Sequence, residues 1–175
     1  MALAAGFRLL GLDPGTATTG FAIVEVHAQR ANQYCAVDYG VILTNKHRNP
    51  GERLKTIHDR LDELLTVYRP QAAAIEKLYF SRNVTTAIAV GEARGVLLYT
   101  LAERAIPVFS INPMAVKKNV VGSGAATKKQ VQQMVKTILG LAEIPQPDDA
   151  ADALAIAISG LRLAPWQRAA EESRT

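Results

Sequence analysis

The segment RLLGLDPGTATTGFAIVEV, residues 8–26, predicts the centre of the fold. An apolar run over Arg8–Leu12 has the length of a buried strand, and it ends at Asp13 in an Asp-Pro-Gly turn signal. A second apolar run, Phe21–Val26, predicts the next strand. A third run, Cys35–Leu43, predicts another. The chain is therefore expected to form a three-stranded meander in this region.

Helical and strand patterns alternate after the meander, and a capping-box pair, Thr127 with Gln130, marks one helix start. The further elements expected are a helix over Glu52–Tyr68, a strand over Ala72–Ile75, a helix from its cap Asn83 to about Arg104, a strand over Pro107–Ile111, a short helix after Pro113, a helix from Thr127 to about Leu139, and a last helix from Asp148 or Asp149 to about Leu163. This order predicts an α/β fold, because parallel strands joined by helical crossovers extend the meander. The sheet is expected to be five-stranded and mixed, with helices on both faces.

Composition limits the class of protein. A chain of 175 residues predicts one domain over residues 1–175, with a polar, flexible tail at about 165–175. A hydrophobic share of 49% excludes a disordered chain, and the single cysteine, Cys35, excludes a disulfide framework. The N-terminal residues lack the features of a signal peptide, and no run is long enough for a membrane span. We therefore expect a cytoplasmic protein with no membrane partner.

The charge is basic and unevenly distributed. Lysine and arginine total 20 against 16 acids, giving a net charge of +4. No acid occurs between Asn112 and Ala142, a segment that contains five lysines: Lys117, Lys118, Lys128, Lys129 and Lys136. This segment predicts a surface for a polyanion such as nucleic acid. The alternative is an ordinary solvated basic face.

Four acids lie at the ends of apolar elements. Asp13 ends the run LLGL, and Glu76 ends AAAI. Asp149 and Asp152 are three residues apart at a helix start, so both can face one site. Asp152 is followed by ALAIAI, which predicts a buried helix, and a buried acid is costly unless something neutralises it.

Each acid also has a structural explanation: a turn aspartate, a strand-end acid, or a capping pair in which Asp148 competes for the cap. As a cluster, however, carboxylates repel one another and raise each other's pKa, and a hard divalent cation removes that penalty. Carboxylates suit Mg²⁺ or Mn²⁺, and the lack of nearby histidine or cysteine disfavours zinc. Two such ions form a site for phosphodiester cleavage.

Four motifs in order resemble the RuvC-type Holliday junction resolvases of bacteria, over about Arg8 to Leu163. They are GLDPGTATTG at 11–20, AAAIEKLYFSRNVTTAIAVGEARGV at 72–96, VVGSGAATKKQVQQMV at 120–135 and DDAADALAIAI at 148–158. The resemblance implies an RNase H-like fold, a homodimer, Mg²⁺-dependent paired nicking of a four-way DNA junction, and a branch-migration helicase as a partner complex.

The resemblance also assigns residues. It implies that Asp13, Glu76, Asp149 and Asp152 bind the metal and form the catalytic set. Lys117 and Lys128 match the lysines that contact phosphate, and Lys118 and Lys129 lie beside them. Tyr79 or Phe80 is expected to stack on an unpaired base, with core packing as the alternative for both.

One helix and the functional class each allow more than one interpretation from the sequence. The predicted helix from Asn83 contains Gly91 and Gly95, which indicate either close packing on the sheet or a dimer seam. The run D-P-G-T-x-x-x-G is also similar to the phosphate loop of sugar kinases and actin-like ATPases, so an ATP-binding domain is a rival to the nuclease. Another RNase H-like nuclease, acting on hybrids or other branched DNA, is a further alternative.

Overall fold

The computed structural model describes residues 5–27, 33–78 and 84–163, with the side chains of 84–86 left out. Five strands and five helices occur in these ranges: β1 Arg8–Asp13, β2 Thr18–Val26, β3 Tyr34–Leu43, α1 Pro50–Tyr68, β4 Ala72–Glu76, α2 Val84–Glu103, β5 Val108–Ile111, α3 Pro113–Val121, α4 Lys128–Leu139 and α5 Asp148–Arg162. Each predicted element is present, with ends that differ by a few residues. Residues 79–83 and 164–175, which include Tyr79, Phe80, the cap Asn83 and the predicted tail, lie outside the described part of the chain.

The strands form one sheet in the order β3-β2-β1-β4-β5. β2 pairs antiparallel with both β1 and β3, whereas β4 pairs parallel with β1 and β5. The mixed five-stranded sheet predicted from the sequence is therefore confirmed. β1 is the central strand, and the C-terminal ends of β1, β3, β4 and β5 all lie at the same edge.

Two apolar cores cover the two faces of the sheet, because successive strand residues point to opposite sides. Leu9 faces a core completed by α3, α4 and α5, and Leu10 faces a core completed by α1 and α2. Both leucines are fully buried. Helices on both faces, as predicted, leave the sheet edge at Asp13 open.

Helix caps explain where two helix starts fall. Asn49 caps α1 in a reciprocal capping box with Glu52, which places the start at Pro50, two residues before the predicted one. Thr127 and Gln130 form the predicted capping box of α4. α5 begins after Pro147 without any side-chain cap. The structural alternative for Asp149 and Asp152, a capping pair in which Asp148 competes for the cap, is therefore wrong. Pro147 is the N-cap residue, and the Asp148 carboxylate contacts Gln132 and Lys128.

None of the helices within the described ranges combines the length and the hydrophobicity that a membrane span needs.

Candidate active site

Asp13 and Glu76 lie side by side at the open edge of the sheet. They are the last residues of β1 and β4, which run parallel, and the register pairs Leu12 with Ile75 immediately before them. Neighbouring strands lie about 4.8 Å apart, so both carboxylates leave the sheet at one place. The local fold thus brings together two acids that are 63 residues apart in the chain.

Helix α5 adds Asp149 and Asp152 from above the sheet. Its first turns lie directly on β1 and β2, where Gly11 and Gly20 leave room for the helix backbone. Asp152 lines the same cleft as Asp13 and Glu76. Asp149 is not among the residues that line this cleft, although its charge acts on both Asp13 and Asp152. Three of the four predicted acids therefore share the cleft, and the fourth lies beside it.

The cleft has a volume of about 290 Å³ and is lined by both charged and apolar side chains. Lys117 from α3 and Lys128 from α4 line it together with the acids. The remaining lining residues are apolar: Pro113, Val116, Val131, Ala155 and Ile156. Negative and positive charges in one cleft suit a substrate that carries phosphate and a cation.

Asp13 has the most perturbed ionisation of the cluster. Burial, followed by the charges of Glu76, Asp152 and Asp149, raises the pKa of Asp13 to about 7. Burial and the neighbouring Asp152 also raise the pKa of Glu76. Burial raises the pKa of Asp152, although Lys128 acts in the opposite sense. Burial is the first cause at all three acids, so ionising the whole cluster is costly unless a cation compensates the charge.

The cost of ionising these buried, neighbouring carboxylates is the observation that indicates a metal ion. An all-carboxylate donor set fits a hard divalent cation such as Mg²⁺ or Mn²⁺. Within the described residues, no three acidic, histidine or cysteine side chains converge tightly enough to form a ready-made ion cage. The carboxylate donors nevertheless fit a divalent cation. At one of them, Asp152, the carboxylate is paired with the ammonium group of Lys128.

Lys128 contacts two acids of α5. Its Nζ atom lies 2.9 Å from Oδ2 of Asp152 and 3.2 Å from Oδ2 of Asp148. Lys128 is the first residue of α4, one position after the cap Thr127. The side chain is half exposed at the mouth of the cleft, where an incoming phosphate group can reach it.

The other predicted DNA-binding residues occupy different positions. Lys117 is partly buried and lines the cleft, whereas Lys118 and Lys129 are exposed and do not line it. Lys118 and Lys129 have no ion-pair partner among the described residues. The expectations for Tyr79 and Phe80 fall in a segment outside the described residues.

Sequence reasoning missed two residues near the acids, Gln132 and Arg94. Asp148 accepts hydrogen bonds from Nε2 of Gln132 at 2.9 Å and from Lys128. Lys128 and Gln132 are four residues apart on α4, and this spacing was a signal that they share one face. Arg94 of α2 donates to the backbone carbonyl of Glu76 at 3.3 Å and to Ser110 Oγ at 2.7 Å. Nothing in the sequence pattern marked Arg94, because its partners lie on separate strands.

A mixed sheet of this order, with a carboxylate-lined cleft at the end of its central strand, defines an RNase H-like nuclease. The model of one such family, described as crossover junction endodeoxyribonuclease RuvC, matches residues 9–160. The chain therefore belongs to the RuvC family of crossover junction endodeoxyribonucleases.

Individual relatives agree with this assignment. RuvC of Heliobacterium modesticaldum is 47% identical over 158 residues, covering 90% of this chain and 96% of that protein. RuvC of Roseiflexus sp. is 46% identical over 167 residues, covering 95% and 98%. The structure of T. thermophilus RuvC in complex with Holliday junction substrate matches with a TM-score of 0.84 and 36% identity, covering 94% and 96%.

A more distant structure shows the fold alone. The yeast mitochondrial Holliday junction resolvase Ydc2 is 15% identical, with a TM-score of 0.62. Together these comparisons confirm the RNase H-like fold and the nuclease class expected from the sequence. They favour this class over the ATP-binding alternative.

Proposed function

We propose that the chain resolves four-way DNA junctions by paired nicks in strands of like polarity, during recombination and repair. The observation that carries the proposal is the cluster of buried acids around Asp13, which shares one open cleft with two lysines. The RuvC relatives and the solved RuvC complex with a Holliday junction support the choice of substrate. Hydrolysis joins a water oxygen to phosphorus and breaks the bond to the 3′ oxygen, which leaves 5′-phosphate and 3′-hydroxyl ends.

The four acids are proposed to hold two divalent cations, Mg²⁺ or Mn²⁺. Asp13 would contribute to both sites because it lies at the centre of the cluster, and Glu76, Asp149 and Asp152 would complete them. When bound, such cations acidify water and stabilise charge on a phosphate group. The protein would contribute the donors from three elements, since β1 carries Asp13, β4 carries Glu76 and α5 carries Asp149 and Asp152.

The lysines are proposed to hold the DNA backbone. Lys117 and Lys128 line the same cleft as Asp13, Glu76 and Asp152, so a phosphate held by them would lie close to these acids. Such contacts position the strand without reading its sequence. Lys118 and Lys129 would extend this surface away from the cleft. Tyr79 or Phe80 would stack on an unpaired base at the crossover, a contact worth roughly 1–3 kcal/mol.

The protein is also proposed to act as a homodimer, because paired nicks in a two-fold symmetric junction call for two active sites. Helix α2 offers a surface for this. Ile88, Glu92, Gly95 and Tyr99 are all exposed, and their 4-3-4 spacing places them on one face of the helix. A Cβ atom at Gly95 would meet nothing within 4 Å among the described residues, so this glycine is not required by packing within the chain.

The remaining expectations follow from the substrate. A single domain over residues 1–175 that acts on junction DNA is proposed to work in the cytoplasm. It is proposed to work with a branch-migration helicase complex that supplies mobile junctions.

The deciding experiment uses a synthetic mobile four-way junction with the full-length protein and Mg²⁺ or Mn²⁺, and maps the cut positions on each strand. We expect symmetric cuts that ligase can seal. A linear duplex of the same sequence is the control and should remain intact. No cleavage of the junction with either cation, or equal cleavage of the linear duplex, would overturn the proposal.

A further inference from the structure

A second layer of contacts surrounds Lys128 at the mouth of the cleft. We propose that Asp148, oriented by Gln132, is a positioning residue that keeps a binding place for the Lys128 ammonium group when Asp152 binds a divalent cation. The inference rests on the proposed function, because it takes Asp152 to be a metal ligand.

The geometry places both acids within reach of one ammonium group. Asp148 and Asp152 are four residues apart on α5 and therefore share a helix face. Nζ of Lys128 lies 2.9 Å from Asp152 and 3.2 Å from Asp148. The Asp148 side chain is 56% exposed and that of Asp152 is 36% exposed. The ammonium group thus lies between an inner and an outer carboxylate.

Gln132 fixes the outer carboxylate. It lies one turn after Lys128 on α4, is 8% exposed, and donates from Nε2 to Oδ1 of Asp148 at 2.9 Å. Lys128 contacts the other oxygen, Oδ2. Each oxygen of Asp148 therefore has its own donor. A carboxylate held at both oxygens loses little freedom when the lysine moves closer to it.

The arrangement matters because an ammonium group and a divalent cation compete for Asp152. A cation at Asp152 repels Lys128, which must then leave that carboxylate. Lys128 already contacts Asp148. When it leaves Asp152, it therefore keeps one carboxylate partner, and no new contact has to form. If residue 148 were uncharged, Lys128 would have a carboxylate partner only in the metal-free protein. Loss of the Asp148 charge should therefore disfavour the metal-bound state.

The same contact retains Lys128 where DNA needs it. A lysine released from Asp152 without another partner would extend into solvent. Held by Asp148, it stays at the mouth of the cleft, beside the acids, and can exchange this carboxylate for a backbone phosphate. Asp148 is thus expected to affect how much cation the enzyme requires.

The test measures Mn²⁺ binding to the DNA-free protein by calorimetric titration, for the wild type, Asp148→Asn, Lys128→Ala and the double variant. Asp148→Asn should weaken Mn²⁺ binding by about two- to fivefold, the range expected for a partly exposed ion pair. In the Lys128→Ala background, the same substitution should have little effect, because no ammonium group then needs a partner. Asp148→Glu should restore most of the affinity.

Two further measurements complete the test. The Mg²⁺ concentration for half-maximal junction cleavage should rise in Asp148→Asn. Glu143→Gln removes an equal charge from the loop before α5, outside the cleft, and should leave Mn²⁺ affinity unchanged. Urea unfolding shows that each variant is folded.

The outcomes separate this inference from the proposed function. Equal weakening by Asp148→Asn in both backgrounds would show that Asp148 acts only as a nearby charge, and would overturn the positioning role. Unchanged Mn²⁺ affinity in Asp148→Asn, with normal binding by the wild type, would overturn it as well. A wild type that neither binds Mn²⁺ nor cleaves the junction would overturn the proposed function itself.

Discussion

Gly20 of β2 lies directly beneath the backbone carbonyl group of Asp149, and a Cβ atom at residue 20 would overlap that oxygen. Gly11 of β1 stands in the same relation to the carbonyl of Ala153, one turn further along α5. Gly20 is also the strand partner of Asp13. The absence of two side chains on the sheet therefore sets the height at which α5 holds its acids over Asp13.

Gly20→Ala is the direct test of this contact. The clash involves backbone, which cannot rotate away, so we expect a loss of about 3 kcal/mol in the free energy of unfolding, the upper end of typical overpacking costs. Junction cleavage should fall as well, because the first turn of α5 has to move. Urea unfolding and cleavage assays measure both effects.

Gly91→Ala is the matched control for Gly20→Ala. A Cβ atom at Gly91 would meet only the end of the Leu78 side chain, at 3.8 Å, among the described residues. In a helix interior, alanine is favoured over glycine by about 1 kcal/mol. This control should be neutral or stabilising. Equal stability of the two variants would show that the sheet and α5 are not in tight contact at Gly20.

The sheet and its acidic edge could be predicted from the sequence because central buried strands are short apolar runs. LLGL and AAAI are such runs, and in each case the first acid after the run marks where the strand leaves the core. Parallel pairing of the two strands then places Asp13 beside Glu76. The position of the acidic site could therefore be predicted, because each of these two strands is recognisable from its own short stretch of sequence.

The Lys128–Asp148 pair could not be predicted in the same way. Their contact depends on how the starts of α4 and α5 approach each other, and this is set by the core that the two helices share with β1 and β2. The sequence placed an acid at a helix start, where capping is the usual explanation. The sequence also did not show which face of α2 is exposed, because small and apolar residues occur on all sides of this helix.

Amide substitutions in the cleft should separate cleavage from binding. Asp13→Asn, Glu76→Gln and Asp152→Asn each remove a proposed metal ligand while keeping the side-chain shape. We expect cleavage to fall by more than about 100-fold, since loss of even an outer-shell partner costs 10- to 100-fold. Junction binding should persist, because it depends on the lysines.

Gel-shift and cleavage assays on the same preparations test this separation. Asp59→Asn, which removes an exposed acid of α1 far from the cleft in sequence, is the control and should cleave normally. Cleavage at the wild-type rate by Asp13→Asn would exclude Asp13 from the metal site. Loss of junction binding in all three amide variants would instead show that the acids are needed to form the DNA surface.

Asp13 should also make stability depend on pH in the metal-free protein. Its pKa is about 7 in the folded state and near 3.8 in the unfolded chain. Between these values the folded state binds the additional proton, so the free energy of unfolding falls as pH rises, and the full penalty is present above about pH 7. Asp13→Asn removes this penalty.

The variant should therefore exceed the wild type in stability at pH 8 by on the order of 2–4 kcal/mol, since each pKa unit corresponds to about 1.4 kcal/mol. The difference should shrink towards zero near pH 4. Urea unfolding in EDTA at several pH values measures it. A stability gain of the same size at every pH would mean that Asp13 is not the group whose ionisation is suppressed by burial and its neighbours.

Lys128 should contribute to the salt dependence of junction binding. In the free protein, its ammonium group contacts Asp148 and Asp152, and it has to exchange them for a phosphate. Lys128→Ala should reduce the magnitude of the slope of log affinity against log salt concentration by up to roughly 0.9, the value for one phosphate contact. Binding should weaken to a similar extent for every junction sequence, because phosphate contacts do not read bases.

Lys136→Ala is the internal control for this measurement, because Lys136 lies in the last turn of α4, two turns after Lys128, and does not line the cleft. It should change the slope less. Equal slopes for the wild type and Lys128→Ala would exclude a phosphate contact at Lys128.

Gly95→Leu should separate dimer formation from folding. Gly95 is exposed, and a Cβ atom there has open space among the described residues, so leucine fits the single chain. Within a helix, leucine is also favoured over glycine by up to about 1 kcal/mol. If the face containing Ile88 and Tyr99 is the dimer seam, leucine at residue 95 blocks close approach of a second copy. We therefore expect a folded, equally or more stable protein that sediments as a monomer at micromolar concentration.

The cleavage products give an independent measure of the Gly95→Leu variant. On a supercoiled plasmid with an extruded cruciform, paired nicks by a dimer produce a linear molecule, whereas an isolated nick produces an open circle. The variant should shift the products from linear towards open circles. Gln133→Leu adds the same side chain to an exposed position of α4 and should leave both sedimentation and products unchanged. A Gly95→Leu protein that remains dimeric and still linearises the plasmid would place the seam on another face, because a leucine at a close-packed interface has no space to occupy.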